Sequence, residues 1–376
     1  MNGSISLFRI SFVALTMFSG VTFQSIRSQA NGFLPDLPDT QEKPVNGQLK
    51  QELQLAGDYM MGRGVQRDLK QSAYWYHKAA DQGYPAAQVQ LGYFYLAGMG
   101  VQRDETQAAK WFARAASSGS NEGKLNLAVL YFRGTGIMRD PHIGVVLLQE
   151  LADKKIPRAE DYLGIAYFLG IGVEKDTVKA EKWFERAASH HSPEGEYAMG
   201  TLYSVTENHP HDFVKAADYL RQSADSGYVA GMHSFGLLLV NHPEINQQPG
   251  EAVHCLQAAA EGGAYRSSIV LGVLARDGRG LPKNEEVAYQ WFTIAVKQGG
   301  ATVEKLLTAD LDVAHKTLSI EQQKSAEQVA QAWMDAHPHQ DVYVNGSELN
   351  FAYFPMREVY ATGLDIQQTD KGATRN

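Results

Sequence analysis

Residues 87–116 read AQVQLGYFYLAGMGVQRDETQAAKWFARAA, and this stretch contains two successive helical patterns. In the second half, apolar side chains recur at i, i+3, i+4, i+7 and i+8 between Ala108 and Ala116, which is the stripe of an amphipathic α-helix. The first half carries apolar side chains at helical spacing as well, and Gly98 and Gly100 separate the two halves. The stretch therefore predicts two antiparallel helices, A and B, joined by a short turn.

The same pattern returns every 36 residues along most of the chain. A large apolar residue occupies the first helix of each copy at Leu55, Leu91, Leu127, Leu163, Met199, Phe235 and Leu271, and a glycine or alanine always follows it. Trp111 has equivalents at Trp75, Leu147, Trp183, Tyr219, Cys255 and Trp291. Seven copies without an insertion cover residues 50–301. Because periods of this length are typical of stacked repeats, we predict an all-α solenoid.

The turn between the helices has its own recurrent residues. A Gly-x-Gly pair binds phosphate when it follows a strand and opens a helix, but here it follows a helix and no Gly-Lys-Ser/Thr comes after it. We therefore interpret Gly98 and Gly100 as a helix end. Asp104 stands where it can cap helix B, and it has equivalents at Asp68, Asp140, Asp176 and Asp212.

The pattern AQ-x-x-LG-x-x-Y-x-x-G-x-GV-x-x-D of residues 87–104, followed by A-x-x-WF-x-x-AA, resembles a Sel1-like repeat, a relative of the tetratricopeptide repeat. The resemblance implies a right-handed superhelical α/α solenoid that serves as a binding scaffold. Exported bacterial members of this family act as adaptors in the cell envelope, and the resemblance implies a similar role here.

Repeats five and six depart from the pattern. Thr206 and Asn208 stand at the glycine positions of repeat five, and His242 and Glu244 stand there in repeat six. We expect the turns around 205–211 and 241–250 to differ from the others, with the fold itself unchanged.

The ends of the chain are predicted to lie outside the repeats. Residues 1–30 have the features of a signal peptide, with Arg9 before an apolar stretch and small residues at Ser28 and Ala30, although an uncleaved anchor is the alternative. Export would place the protein in the periplasm or outside the cell, with no membrane insertion after cleavage. We predict a flexible linker at 31–49, a pair of capping helices at 302–336, and a carboxy-terminal tail at 337–376 that is either disordered or docked on the solenoid.

Composition excludes several classes of function. The 42 acidic residues outnumber the 34 basic ones, so nucleic acid is not an expected partner. A single cysteine excludes a disulfide framework, and no common hydrolase motif occurs. The densest histidines, His190-His191 and His209/His211, lie at opposite ends of one predicted helix and cannot share a metal. We therefore expect no catalytic residues, no metal and no cofactor.

The candidate binding residues lie on the face of helix A opposite its core positions. In tetratricopeptide-like solenoids this face lines the concave side, where extended ligands bind. Its side chains differ from one repeat to the next, with apolar anchors beside the charged residues Glu122, Arg158 and Arg266. Such a mixture is suited to a peptide or a protein segment. The candidate contact residues are Gln90, Tyr93, Asn126, Val129, Arg133, Arg158, Tyr162 and Ile165.

Three alternatives remain open at the level of sequence. The positions 93, 129 and 165 are also suited to packing between neighbouring A helices. The protein is alternatively one that binds or processes cell-wall material or an envelope polysaccharide through an unrecognised site. A third alternative is a structural spacer whose groove is filled by its own tail.

Overall fold

The structure, a computed structural model, describes residues 47–205, 212–245, 248 and 250–337. In this part of the chain every regular element is helical, with 16 α-helices and no strand. The helices are α1 (Gly47–Met61), α2 (Leu69–Asp81), α3 (Pro85–Ala97), α4 (Glu105–Ser117), α5 (Asn121–Arg133), α6 (Pro141–Asp153), α7 (Pro157–Leu169), α8 (Thr177–Ser189), α9 (Pro193–Val205), α10 (Phe213–Asp225), α11 (Val229–Asn241), α12 (Glu251–Glu261), α13 (Tyr265–Asp277), α14 (Glu285–Leu306), α15 (Thr308–Thr317) and α16 (Ile320–Ala336).

Each repeat supplies one helix pair, so the odd-numbered helices from α1 to α13 are A helices and the even-numbered helices from α2 to α14 are B helices. The described residues form two compact units, an amino-terminal unit (residues 47–190) and a carboxy-terminal unit (residues 191–337). Within each unit every helix of a repeat packs against the next one along the chain. The predicted all-α solenoid of helix pairs is confirmed.

The small residue after Leu91 allows the two helices of a repeat to approach closely. Phe112 of α4 is fully buried, and a Cβ atom added to Gly92 would lie 2.5 Å from its ring. The same fit recurs between Gly164 and Phe184, where the distance is also 2.5 Å. In these two repeats the glycine therefore leaves the space that the phenylalanine ring of helix B occupies, whereas repeat one accommodates Tyr76 beside Ala56.

The predicted aspartate caps are confirmed at the start of the B helices. Asp104 accepts a hydrogen bond from the backbone N–H of Gln107 at 2.9 Å, and its own N–H donates to the carbonyl of Tyr95 at 2.9 Å. Equivalent side-chain caps are present at Asp68, Asp140, Asp176 and Asp212. Each cap therefore satisfies N–H groups at the start of helix B, and in repeats one to four the same aspartate also bonds to the end of helix A.

The glycine pair ends helix A and also contacts the preceding repeat. Gly98 is the C-cap of α3 in the left-handed conformation, with φ of 67°. Gly100 has the same φ, and a Cβ atom there would lie 2.0 Å from the carbonyl oxygen of Leu69, in the first turn of α2. The interpretation as a helix end is correct, and the second glycine has the further role of letting two repeats meet backbone to backbone.

Charged side chains join the two helices of a repeat at one repeated position. Glu160 of α7 is fully buried and contacts Arg186 of α8 at 2.9 Å and His190 Nδ1 at 2.8 Å. In repeat one the equivalent Glu52 is paired with Lys78 at 3.0 Å. Repeat three has the opposite polarity at these two positions, with the pair Lys124–Glu150. The position therefore holds an ion pair between the helices in these three repeats, and the acidic residue can stand on either helix.

The irregular repeats and the ends differ from the regular ones. Residues 206–211 lie outside the described part of the chain. In repeat six, α11 is followed by a 3₁₀ turn at Pro243–Ile245, and His242 stacks on Phe213 at 3.6 Å. The turn of repeat six thus differs from the glycine turns, as predicted.

The last repeat is followed by two helices, α15 and α16. Gly300, with φ of 67°, interrupts α14 before residues 301–306 resume the helix. Helix α16 packs on α14, where Trp333 makes an edge contact with Trp291 at 5.7 Å between ring centroids. Residues 302–306 of the predicted capping pair therefore belong to α14. At the other end, α1 begins at Gly47, within the predicted linker.

Several predictions fall on residues outside the described part of the chain. These are the signal peptide at 1–30, the linker up to residue 46, and the tail from residue 338 onward. Among the helices that the structure does describe, none combines the length and the apolar character required to cross a membrane.

Candidate partner-binding surface

The candidate residues lie on α3, α5 and α7 of the amino-terminal unit, and we call this face the A-helix surface. Helix α3 contacts α5 directly, in addition to the contacts between consecutive helices. Side chains from successive A helices therefore meet across this surface, although they are about 30 residues apart in sequence.

A hydrogen-bonded cluster connects α3 to α5. The Tyr93 hydroxyl donates to Glu122 Oε1 at 3.1 Å and accepts a hydrogen bond from Asn126 Nδ2 at 2.9 Å. Asn126 Nδ2 also donates to the backbone carbonyl of Glu122 at 2.9 Å, and the Tyr93 ring makes an edge contact with Phe112 at 5.4 Å. The cluster holds Tyr93 with its ring against Phe112 and its hydroxyl between Glu122 and Asn126.

Arg158 of α7 extends the cluster to the next repeat. Burial raises the pKa of the Glu122 carboxyl, while the hydrogen bond from Tyr93 and the positive charge of Arg158 act in the opposite direction. Burial and the neighbouring Glu122 raise the pKa of Tyr93, so its hydroxyl stays protonated at neutral pH. Glu122 keeps part of its surface accessible to solvent. Glu122 and Arg158 on the A-helix surface are therefore partly surrounded by protein and partly accessible to solvent.

A second charged residue, Arg133 of α5, lies near Tyr162 of α7. Burial lowers the pKa of Arg133, and the nearby Tyr162 hydroxyl acts in the opposite direction. Tyr162 is half-buried and its ring packs on the core, whereas Ile165 and Gln90 are half-buried on the same surface. Gln90, Tyr93, Arg133, Arg158, Tyr162 and Ile165 thus all keep accessible surface.

Two candidate residues are corrected by their burial. Asn126 and Val129 are only 6% and 4% exposed, so their side chains cannot present much area to a partner. Asn126 instead positions Tyr93. Val129 packs between helices, which is the alternative stated above for positions 93, 129 and 165. Glu122 was recognised in the sequence as a charged rim residue. Its position between Tyr93 and Arg158 depends on contacts between repeats that a sequence pattern does not reveal.

Replacing Tyr93 with phenylalanine is expected to lower the free energy of unfolding by about 1 kcal/mol, since it removes a hydroxyl that joins Glu122 to Asn126. Urea unfolding of the purified protein measures the effect. Tyr95→Phe is the matched control, because the half-buried Tyr95 hydroxyl has no hydrogen bond within the described residues. Equal losses in the two variants would show that the cluster contributes nothing.

The structure also gives the surroundings of the potential metal ligands, of Cys255 and of His190. No cluster of three or more potential ligands among the described residues could hold a metal ion. Burial raises the pKa of the Cys255 thiol to about 11, so the reactive thiolate is scarce at neutral pH. His190 contacts Glu160 as an internal partner, and His209 and His211 lie outside the described residues.

Comparisons with known proteins bear on this architecture. The family model described as the Sel1 repeat matches the chain seven times, at residues 52–84, 85–120, 122–155, 157–192, 193–228, 231–263 and 269–300. A Sel1 repeat protein from Oxalobacter formigenes is similar in structure, with a TM-score of 0.59 and 25% identity over 66% of this chain and 99% of that one. No curated protein matches the sequence.

Two further solved structures are more distant. The protein c5321, a protective antigen of uropathogenic Escherichia coli strains with an SLR fold, has a TM-score of 0.41 and 23% identity over 88% of this chain and 74% of that one. A putative Sel1 repeat protein from Klebsiella pneumoniae has a TM-score of 0.36 and 22% identity over 52% of this chain and 97% of that one.

Proposed function

The chain belongs to the Sel1 repeat family, and from this premise we propose that it is an exported, non-enzymatic scaffold that binds a peptide or protein segment along the A-helix surface. Solenoids of this family typically act as protein–protein interaction scaffolds. In this protein the ligand is extended and lies on the A-helix surface, and export takes the protein to the periplasm or beyond.

The observation that carries the proposal is the row of half-accessible side chains across three successive repeats. Tyr93 and Tyr162 offer aromatic area, Ile165 offers an aliphatic anchor, and Arg133 and Arg158 offer charge. Anchors of these residue types beside a polar rim are typical of protein interfaces. Because the core fixes the backbone of α3, α5 and α7, the surface is preorganised, which reduces the entropic cost of binding.

The sequence of the amino terminus supports the proposed export. The apolar stretch from Ile10 to Phe23 is shorter than the ~20 residues that a membrane-spanning helix needs, and it is followed by Ser28-Gln29-Ala30. An envelope partner is therefore the expected ligand, and an envelope polysaccharide is the second candidate.

Photo-crosslinking in the native envelope tests the proposal. A probe at Ile165 is expected to capture one discrete protein, whereas a probe at Val214, 61% exposed on the B helix α10, should not. With that protein purified, Ile165→Lys is expected to weaken binding at least about tenfold, because it places a charge at an apolar anchor.

The control variant is Val214→Lys, which makes the same kind of change on the B side. Both substitutions should alter the free energy of unfolding by no more than about 0.5 kcal/mol, since neither removes a buried side chain. Unchanged binding in Ile165→Lys, or capture of the same protein at Val214, would refute the A-helix surface as the binding site.

A further inference from the structure

The outer side of helix α6 is apolar at positions where the neighbouring repeats are polar. Ile143 and Val146 are 38% and 47% exposed, and Met138, in the turn before α6, is 83% exposed. The equivalent positions are occupied by Gln102, Gln107 and Lys110 in repeat two and by Glu174, Lys179 and Lys182 in repeat four.

This apolar character is not required for folding. Repeats two and four form the same helix pair with polar residues at these three positions, so packing does not select apolar ones there. Single exposed apolar side chains are ordinary on protein surfaces, but three together in one repeat, with none at the matching positions of its two neighbours, indicate a contact surface.

Basic residues stand on both sides of Val146, at one end of this apolar row. Arg186 of α8 donates to the Ala152 carbonyl of α6 at 3.0 Å, so these successive B helices are neighbours in the stack. Lys110 of α4 and Lys182 of α8 occupy the positions equivalent to Val146. Both lysines are exposed, and neither forms an ion pair with another described residue. Glu150, the acidic residue one helical turn after Val146, is already paired with Lys124. The charge beside Val146 is therefore positive, although Glu174 stands at the position equivalent to Met138 and the whole chain carries −8.

We propose that this α6 face, formed by Met138, Ile143 and Val146 between Lys110 and Lys182, binds an amphipathic helix of a protein partner whose aliphatic stripe is flanked by glutamate or aspartate. Ile143 and Val146 are spaced i, i+3, which is the spacing at which a packed helix presents its own apolar side chains. A helix about 10 Å wide fits over α6 and brings its flanking carboxylates toward the lysines of α4 and α8.

Charge complementarity decides the class of partner. Nucleic acid would need a basic surface without the apolar row, and the apolar row alone would not select acidic flanks. The α6 face lies on B helices and the A-helix surface on A helices, so this inference does not rest on the binding site proposed above.

The test uses two synthetic helical peptides and the full chain. Both peptides carry leucine at heptad positions a and d, and positions e and g hold glutamate in one and lysine in the other. Fluorescence anisotropy is expected to show at least about tenfold tighter binding of the glutamate peptide. The variant Met138→Gln/Ile143→Gln/Val146→Lys, which copies repeat two, should lose this binding and remain folded because repeat two carries the same residues.

Charge reversal provides a second variant. Lys110→Glu/Lys182→Glu is expected to invert the preference, so that the lysine peptide binds more tightly. Val214→Lys and Ile165→Lys are the controls and should leave binding of the glutamate peptide unchanged. A loss in Ile165→Lys would place the peptide on the A-helix surface and overturn the assignment to the α6 face.

Other outcomes also overturn the proposal. Equal affinity for the two peptides, or unaltered binding in the triple variant, would show that the α6 face does not select an acidic helix. Binding to vesicles of anionic phospholipid that the triple variant abolishes, without peptide binding, would identify a membrane-facing surface instead. Concentration-dependent dimers that the triple variant dissociates, again without peptide binding, would identify a second copy of this chain as the occupant.

Discussion

Gly100→Ala is expected to lower the free energy of unfolding by about 4 kcal/mol. Two costs combine in this variant. The left-handed conformation of Gly100 disfavours any Cβ atom, and the new atom would lie 2.0 Å from the Leu69 carbonyl oxygen. Since the backbone fixes the position of a Cβ atom and the Leu69 oxygen is itself a backbone atom, a side-chain rotation cannot relieve the contact.

Gly64 provides a matched control for the first cost alone. It is the second glycine of the turn in repeat one, with φ of 71°, but no atom lies within 4 Å of its added Cβ. Gly64→Ala should therefore cost only about 1–2 kcal/mol, the conformational penalty of the left-handed region. Gly280, with φ of 73° and Val253 Cγ2 at 3.7 Å, should resemble Gly64.

Urea unfolding followed by circular dichroism compares the variants Gly100→Ala, Gly64→Ala and Gly280→Ala. Gly100→Ala should shift the unfolding midpoint furthest, and Gly136, whose added Cβ would lie 2.0 Å from the Glu105 carbonyl oxygen, should behave like Gly100. If Gly64→Ala and Gly100→Ala were equally destabilised, close approach between repeats would not be the reason for the second glycine.

Glu160→Lys is the second large effect, with an expected loss of about 3 kcal/mol in the free energy of unfolding. Glu160 is fully buried, and its carboxylate contacts Arg186 and His190 at 2.9 and 2.8 Å. A lysine there would place a positive charge in a buried position beside Arg186. Partial exposure of Arg186, at 43% of its side chain, lets that residue move toward solvent and limits the loss.

The chain itself supplies the design of the rescuing variant. Repeat three has Lys124 and Glu150 at the positions of Glu160 and Arg186, so the reversed pair is already compatible with the same helix packing. Adding Arg186→Glu to Glu160→Lys is expected to recover more than about 1 kcal/mol. Recovery stays partial because Arg186 also donates to the Ala152 carbonyl at 3.0 Å and lies over Trp183.

A double-mutant cycle measured by urea unfolding checks this expectation. The four proteins are the parent chain, the two single variants and the reversed pair. If the loss in the reversed pair were the sum of the single losses, the ion pair would not couple α7 to α8. The cost would then reflect only the burial of a lysine.

The A-helix surface shows which features of a binding site a sequence pattern can predict and which it cannot. Helix A was predicted to present a variable face, and Tyr162 and Ile165 do keep accessible surface on it. Val129 was predicted on the same geometric grounds but is buried. A helical spacing specifies the direction of a side chain from its own axis. It does not specify how closely the next helix covers that side.

The sequence by itself determined the repeat length, the number of repeats, the helix pairs and the aspartate caps. These properties depend on local chemistry, namely the 3.6-residue helical period, the left-handed preference of glycine and the capping of N–H groups by Asp104 and its equivalents. Only the tertiary structure decided why Gly100 must be glycine, how Glu122 joins Tyr93 and which partner neutralises Glu160. Those contacts connect residues about 30 positions apart, and their distances depend on how the helices pack.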